Sequence, residues 1–355
     1  MDRLLFATIM VLCMSGLVMI YSASAVIASE QFGDPYHFLV RQCIALVVGL
    51  GAMAVLLRAD YRVLRSRVVV YTLFALTAIG LVVALMSPSI NGTHRWIVLG
   101  PVTIQPSEFA KLTLVIFLAW RLQRDPEDVN NIPKTVIPCL VLSGFFIFLV
   151  MKQPDLGTAV SLGVCVAVML YAAGLRLRYL AGMGLAAMLF AGLFMEGYQL
   201  ERIRTFLSPE SDLQGAGYQV NQSRISVGAG GEWGRGLGEG QQKLFFLPYP
   251  YTDFIYAVIG EELGLIGTSA MIIAFLILLW RGLRVAARAP DLFGSYLAAG
   301  ITMFIVLQAL INIGVTLGVL PAKGLPLPFV SYGGSSLVAA LMGSGLLLNI
   351  SQHAD

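Results

Sequence analysis

The residues best equipped for chemistry in this chain are a few charged groups set among long apolar runs. Asp253 lies in LPYPYTDFIYAVIGEELG (247–264), just ahead of an apolar helix pattern. Pro248 and Pro250 hold the approach to it extended. A carboxylate in that position stays ionised, and it can cap the helix, accept a proton or hold a divalent cation. Thr252 is the alternative cap. Glu261 and Glu262 fall about two turns deeper in the same run, so at least one of them must face a polar interior.

A second set lies in NGTHRWIVLG (91–100) and IQPSEFAKL (104–112). Pro106 suits the first turn of a helix, which puts Glu108 and Lys111 three residues apart on one face. They form either a local ion pair that lets the span insert or a functional pair facing a wet cavity. Arg95-Trp96 fits an interface belt or a binding role. In MKQPDLG (151–157), Asp155 opens another helix, and capping of free N–H groups is its main expected job.

The third set is in the longest connection and near the end. ERIRTFLSP (201–209) carries Arg202, and the stretch after GAGYQVNQS (215–223) is dense in glycine from Gly228 to Gly240. That spacing has no preceding strand and no βαβ unit, so it is not a nucleotide loop; the expectation is a backbone folded tightly over a groove at the membrane surface. LPAKGLPLPFVSYGGSSL (320–337) brings Lys323, a Ser331 placed to cap the last span, and a Gly333–Ser336 helix start. With Ser335, that start suits a phosphate or close packing of small residues. Together, Asp253 as acid or base, Lys111, Arg202 and Lys323 as cations, and the glycine/serine helix start suit a lipid-linked substrate bearing a pyrophosphate. These residues alone do not separate an enzyme from a transporter of the same lipid.

The elements that must position them are membrane helices. Apolar residues make up 57% of the 355 and charged ones 12%, with a mean hydropathy of +0.81. A soluble domain of this length could not bury that much apolar surface. Ten spans are expected, at 4–28, 39–57, 68–88, 106–121, 135–151, 156–174, 177–196, 254–281, 295–318 and 332–350. Each is near the ~20 residues that cross a hydrocarbon core. The fold class is therefore all-α, polytopic and integral to the membrane, as one domain over 1–355 with a large extracytoplasmic loop at 197–253 between helices 7 and 8. Basic residues crowd one set of short connections (Arg3, Arg58, Arg62, Arg65, Arg67, Arg121, Arg124, Lys134, Arg176, Arg178, Arg281, Arg284, Arg288), against Arg41, Arg95, Lys152 and Lys323 on the other. The rule that positive loops stay inside puts both termini in the cytoplasm.

The net charge of +3 implies no nucleic-acid partner. Cys13, Cys43, Cys139 and Cys165 all lie inside apolar blocks, and three scattered histidines make no zinc motif.

NGTHRWIVLG…IQPSEFAKL, QPDLGT, GAGYQVNQS, LPYPYTDFIYAVIGEELG and LPAKGLPLPFVSYGGSS resemble the SEDS family, the FtsW/RodA/SpoVE proteins of bacterial wall synthesis. The match runs in order through nearly the whole chain. Lys-Gly in LPAKG and the stretch GEWGRGLGEGQQKL resemble the FtsW branch more than the RodA branch. The resemblance implies a peptidoglycan glycosyltransferase that polymerises lipid II into β-1,4 glycan at the outer leaflet and releases undecaprenyl diphosphate. It implies Asp253 as the essential carboxylate and a role for Trp96, with Arg202 the best match to the arginine of the large loop. Arg95, Glu108, Lys111, Asp155, Gln219, Glu261, Lys323 and Ser335 join them as expected substrate-binding positions. Tyr251 stands where many relatives have His.

The expected reaction is an inverting displacement with Asp253 as base, assisted by cations or by a divalent ion, magnesium or manganese, with no nucleotide. The expected partners are a class B penicillin-binding protein and other division membrane proteins, at the septum of the cytoplasmic membrane. A RodA-like elongation role, a lipid II flippase and a non-catalytic scaffold are the alternatives.

Overall fold

The structure is a computed structural model describing residues 1–355 except 91, 101, 195–205, 207–215, 245, 322 and 355, and except the side chains of 187, 189–194 and 216. Arg202 lies outside the described residues.

The apolar runs fold as helices because only intrasegment hydrogen bonding satisfies a backbone in lipid. In chain order they are α1 (Arg3–Phe32), α2 (His37–Arg58), α3 (Arg67–Met86), α4 (Pro106–Leu122), α5 (Ile137–Lys152), α6 (Leu156–Ala172) and α7 (Leu177–Phe194). After these come α8 (Ala216–Ala229), α9 (Ile255–Arg288), α10 (Leu292–Thr316) and α11 (Gly334–His353). Seven helices among the described residues are both long and apolar enough to cross a membrane: α1, α2, α3, α5 with the turn before it, α9, α10 and α11. The chain is a multi-pass membrane protein.

Burial separates the core from the lipid-facing shell. Of the most apolar window, 83% is buried in α11 and 67% in α10, against 22% in both α2 and α3. α4, nearly every residue of which is buried, packs against α3, α10 and α11. On the outside, Val47, Val55, Val68, Leu76 and Met86 are exposed, apolar side chains that lipid satisfies.

Local signals explain several boundaries. Asp2 caps α1 through the Leu5 N–H (3.0 Å), and Gly33 ends it in the left-handed region with φ 70°. Asp155 caps α6 as expected, accepting from the Thr158 N–H at 3.0 Å and its hydroxyl at 2.8 Å. Asp291 caps α10 through the Gly294 N–H (2.8 Å) and also accepts from the Tyr61 hydroxyl (2.7 Å).

Four expectations need correction. The chain is not wholly helical: Ile97–Leu99 (β1) and Val102–Ile104 (β2) pair as an antiparallel hairpin, with Val98 opposite Thr103. The region 197–253 is not all loop, since it contains α8. Neither Thr252 nor Asp253 caps α9; its N-cap is Phe254, with no side-chain bond. Ser331 does not cap α11, whose N-cap is Gly333. In both helices the prolines upstream delay the helix start past the polar residue that was expected to cap it.

Candidate active site

Asp253 lies in a turn at the start of α9 and is half-buried. Its carboxylate is close against Gly324: a Cβ built on that glycine would be 3.1 Å from Oδ2. Glycine at 324 lets the carboxylate lie close to the backbone, where a Cβ would press on it, and Lys323 is its neighbour. The two segments are joined by several bonds. The Ser331 hydroxyl accepts from the Leu327 N–H (2.8 Å) and donates to the Thr252 carbonyl (2.5 Å). The Tyr332 N–H donates to the Tyr251 carbonyl at 2.9 Å. Ser331 therefore ties the two segments together instead of capping α11.

The amide of Asn312 on α10 reaches both segments. Its Nδ2 donates to the carbonyl of Asp253 at 2.8 Å and to that of Leu325 at 2.7 Å. One turn away on the same face, Gln308 does the same job deeper down. Its Nε2 donates to the Pro326 carbonyl (2.8 Å), while its Oε1 accepts from Lys111 Nζ (2.5 Å). Lys111 Nζ also meets both oxygens of Glu108, at 2.8 and 2.9 Å. Glu108 and Lys111 are thus a buried, hydrogen-bonded ion pair, both about 3% exposed. Lys111 was expected as a cation for a diphosphate; its charge is instead committed to this pair, and through Gln308 it supports the segment at Pro326.

The Arg95 and Asp155 pair lies on the other side of that segment. Arg95 donates Nη2 to the Pro154 carbonyl (2.7 Å), and its Nη1 is 3.7 Å from Asp155 Oδ2. Arg95 therefore pins its own segment, 92–100, to the start of α6, a more specific role than an interface belt, and Trp96 next to it is half-buried. Gly157, two residues into α6, leaves room for Leu325, whose side chain would be 3.2 Å from a Cβ there. Ser335 accepts from the Gln105 N–H at 3.0 Å. Its hydroxyl holds the end of the hairpin to the start of α11, so the phosphate expected of it would meet an occupied group.

Tyr251 does not replace a histidine base. It stacks on Phe38 (4.4 Å between centroids) and meets Tyr332 edge-on (5.8 Å). Burial, with the neighbouring Tyr332 and Tyr249, pushes its phenol above the usual range, so it stays protonated at neutral pH. Gln42 sets the other side of this stack, donating to the Ser331 carbonyl (3.2 Å) and accepting from the Gly333 N–H (3.2 Å).

Two further expected site residues lie on α8 and α9. Gln219 is half-buried on α8. Glu261 is fully buried and serves the glycine-rich segment: its carboxylate accepts from the backbone N–H of Gln241 (2.8 Å) and Gln242 (3.1 Å), and from the Ser226 hydroxyl (3.2 Å). Its neighbour Glu262 accepts from Ser22 (2.7 Å), from the Gly238 N–H (3.1 Å) and from Lys243 Nζ (2.5 Å). Both acids face a polar interior, as at least one had to, but that interior is the protein's own loop. The glycines are needed because this loop lies on the backbone of α9 itself, not over an open groove. A Cβ on Gly230 would come within 1.9 Å of the Gly260 carbonyl, and one on Gly234 within 2.1 Å of that of Glu262. At the contact α9 breaks, with Gly264 at φ 63° and ψ −158°.

Sequence reasoning missed Asn312, Gln308, Ser22, Lys243 and Gln42. The only signal for the amides is a pair four apart, Gln308 and Asn312, on one face of an otherwise apolar span.

The fold and site define a multi-pass helical membrane protein with one carboxylate held where two proline-rich segments meet at the helix ends. Residues 2–355 match the family profile described as "Cell cycle protein", FtsW/RodA/SpoVE, and the chain belongs to that family. It is 42% identical over 353 residues to a "Probable peptidoglycan glycosyltransferase FtsW" of Trichlorobacter lovleyi, covering 99% of this chain and 93% of the relative. It is 42% identical over 362 residues to "Stage V sporulation protein E" of Bacillus subtilis, covering 99% and 97%. Among solved structures, it resembles a chain from "Structural coordination of polymerization and crosslinking by a peptidoglycan synthase complex", with TM-score 0.82, 30% identity and coverage of 99% and 97%. It also resembles the rod shape determining protein RodA of Thermus thermophilus, with TM-score 0.74, 28% identity and coverage of 100% and 98%.

Proposed function

We propose that this protein is a peptidoglycan glycosyltransferase that polymerises lipid II into β-1,4 glycan at the outer face of the cytoplasmic membrane, for septal wall synthesis. The observation that carries this reading is the Asp253 carboxylate, half-buried against Gly324 and next to Lys323, on backbone that Asn312 holds from α10.

The chemistry follows from that placement. The 4-hydroxyl of the acceptor sugar gives its proton to Asp253 as its oxygen attacks C1 of the donor. The bond from C1 to the diphosphate oxygen breaks, that oxygen keeps the electron pair, and the configuration inverts. Diphosphate leaves readily, so one carboxylate suffices where a glycosidase needs two. Lys323 and Arg202 are assigned to the diphosphate, and Trp96 and Gln219 to the bound substrate. No cluster of three or more His, Cys, Asp or Glu residues is found among the described residues. A magnesium or manganese ion, if bound, would be held by Asp253 and would supply charge for the leaving group.

Ten spans with both termini in the cytoplasm complete the proposal. The Asp2 N–H donates to Ser351 Oγ at 3.0 Å, so the chain ends share one side, as an even number of crossings requires. The structural neighbour from a peptidoglycan synthase complex supports a class B penicillin-binding protein as partner. A flippase would need polar groups left open along a path through both leaflets. Glu108, Lys111, Glu261 and Glu262 are instead buried and bonded to partners within the fold, which favours the enzyme. A RodA-like elongation role would use the same chemistry.

The test is to incubate the purified chain and its class B partner with lipid II and separate the products by size. The proposal expects muramidase-digestible, β-linked strands. No strands from an intact, folded complex would sink it, and α-linked product would remove the inverting step.

A further inference from the structure

At the opposite end of the bundle from Asp253, the turn before α3 and the end of α4 enclose a pocket of about 780 Å3, lined by Arg65, Arg67, Trp120, Arg121, Arg124 and Asp125 among others. Four guanidiniums face one carboxylate. Asp125 is already shared by Arg121 (3.0 Å) and Lys134 (3.7 Å). Among the described residues Arg65, Arg67 and Arg124 make no ion pair.

Two of these arginines are held over aromatic rings. Arg124 lies 4.5 Å above Trp120 and Arg67 5.7 Å from the Tyr71 ring, and the two rings meet edge-on at 5.6 Å. Stacking fixes the plane of a guanidinium while leaving its N–H edge to bind, and that planar fork matches a phosphate. Clustering like charges around a cavity is costly unless an anion enters it. None of these residues takes part in the Asp253 site.

We propose that this pocket binds the phosphate of an anionic phospholipid headgroup. A lipid is favoured over a free phosphate because Trp120 of the pocket meets Tyr71 on α3, a helix with exposed apolar side chains. Val68 there is 74% exposed, and Tyr71 and Leu76 are exposed as well; acyl chains would cover them while the headgroup sits among the arginines. Basic pockets between membrane helices on the cytoplasmic side take anionic headgroups in this way. The leaflet rests on the orientation proposed above; the binding does not.

The test uses the purified full chain in nanodiscs or mixed micelles, with native mass spectrometry of retained phosphatidylglycerol against phosphatidylcholine of the same acyl chains. Wild type is expected to prefer phosphatidylglycerol by about tenfold or more, and Arg65→Gln/Arg67→Gln/Arg124→Gln to lose most of that preference. Arg284→Gln/Arg288→Gln, which removes charge elsewhere on the same face, is expected to keep it within about twofold. Should the triple variant fail to fold, the exposed Arg124→Gln alone is expected to cost about fivefold.

The proposal is overturned by a wild type with no preference, or by pocket variants that keep it. A control pair that loses it equally would show bulk surface charge, and displacement of the lipid by millimolar inorganic phosphate would show a free-phosphate site. Because lipid retention needs no lipid II, these outcomes are independent of whether the chain polymerises glycan.

Discussion

Asn312 donates one side-chain amide to two backbone carbonyls, that of Asp253 at 2.8 Å and that of Leu325 at 2.7 Å. A neutral group near the end of an apolar helix thereby sets the distance between the segment that carries the proposed base and the segment that carries Lys323. Replacing Asn312 with Leu leaves both carbonyls without this donor, each costing about 1–3 kcal/mol. It also frees the two segments to drift, and small displacements of reacting groups cost large factors. The expected result is a lower Tm and a kcat reduced by about 10- to 100-fold, with KM for lipid II little changed. Steady-state polymerisation kinetics check this, and a variant that loses KM but keeps kcat would contradict it.

Glu262 and Lys243 form a buried ion pair that also holds Ser22 and Gly238. Removing one partner strands the other charge, at about 3–5 kcal/mol, whereas removing both costs less. Lys243→Met and Glu262→Gln are each expected to lower Tm and raise hydrogen exchange over 228–244. The double variant is expected to be more stable than Lys243→Met alone. Additive losses in the double variant would show that the pair is not coupled.

Gly230 and Gly228 are two residues apart with opposite expected behaviour. Alanine at 230 would collide with the Gly260 carbonyl, while at 228, inside α8, nothing lies within 4 Å. Gly230→Ala is expected to unseat the loop from α9 and abolish activity. Gly228→Ala is expected to be neutral or stabilising by about 0.5–1 kcal/mol through helix propensity. Thermal melts and polymerisation of the two variants decide it.

At the other end of the bundle, the Tyr61 hydroxyl donates to Asp291. Burial opposes the charge on Asp291, but the Gly294 N–H, the Tyr61 hydroxyl and Arg62 outweigh it and hold the carboxyl below 3.8. Burial, then Asp291, pushes the Tyr61 phenol up to about 12. The contribution of Asp291 is therefore full above pH of about 4 and is lost as pH falls through its depressed folded value. That of Tyr61 is full below about 10 and is lost as pH rises towards about 12. Asp291→Asn is expected to flatten the acid limb of Tm against pH, and Tyr61→Phe the alkaline limb.

The membrane helices were legible because spans announce themselves by length and hydropathy, whereas α8, a polar helix inside the region read as loop, was not. Asp155 as a cap and Glu108–Lys111 as a pair were legible because their partners are three residues away. Asn312, Gln308 and Lys243 were not, because their partners are contributed by other segments and are often backbone carbonyls or amides, which leave no trace in residue type. The same blindness assigned Glu261 to substrate, since a buried acid looks alike in sequence whether it meets a ligand or a loop. Thr252 and Ser331 were misjudged as caps because the helix starts moved past them: the Ser331 hydroxyl donates instead to the Thr252 carbonyl, and the Thr252 hydroxyl to the Tyr249 carbonyl.

The central claim is that Asp253 is the base. Asp253→Asn keeps the size of the side chain and the backbone carbonyl that Asn312 holds, and removes the negative charge and the proton acceptor. In the purified complex with the class B partner, lipid II polymerisation is expected to fall by about 10²-fold or more, with complex assembly and Tm unchanged. Near-normal polymerisation by that complex would contradict the account and move the base to another residue.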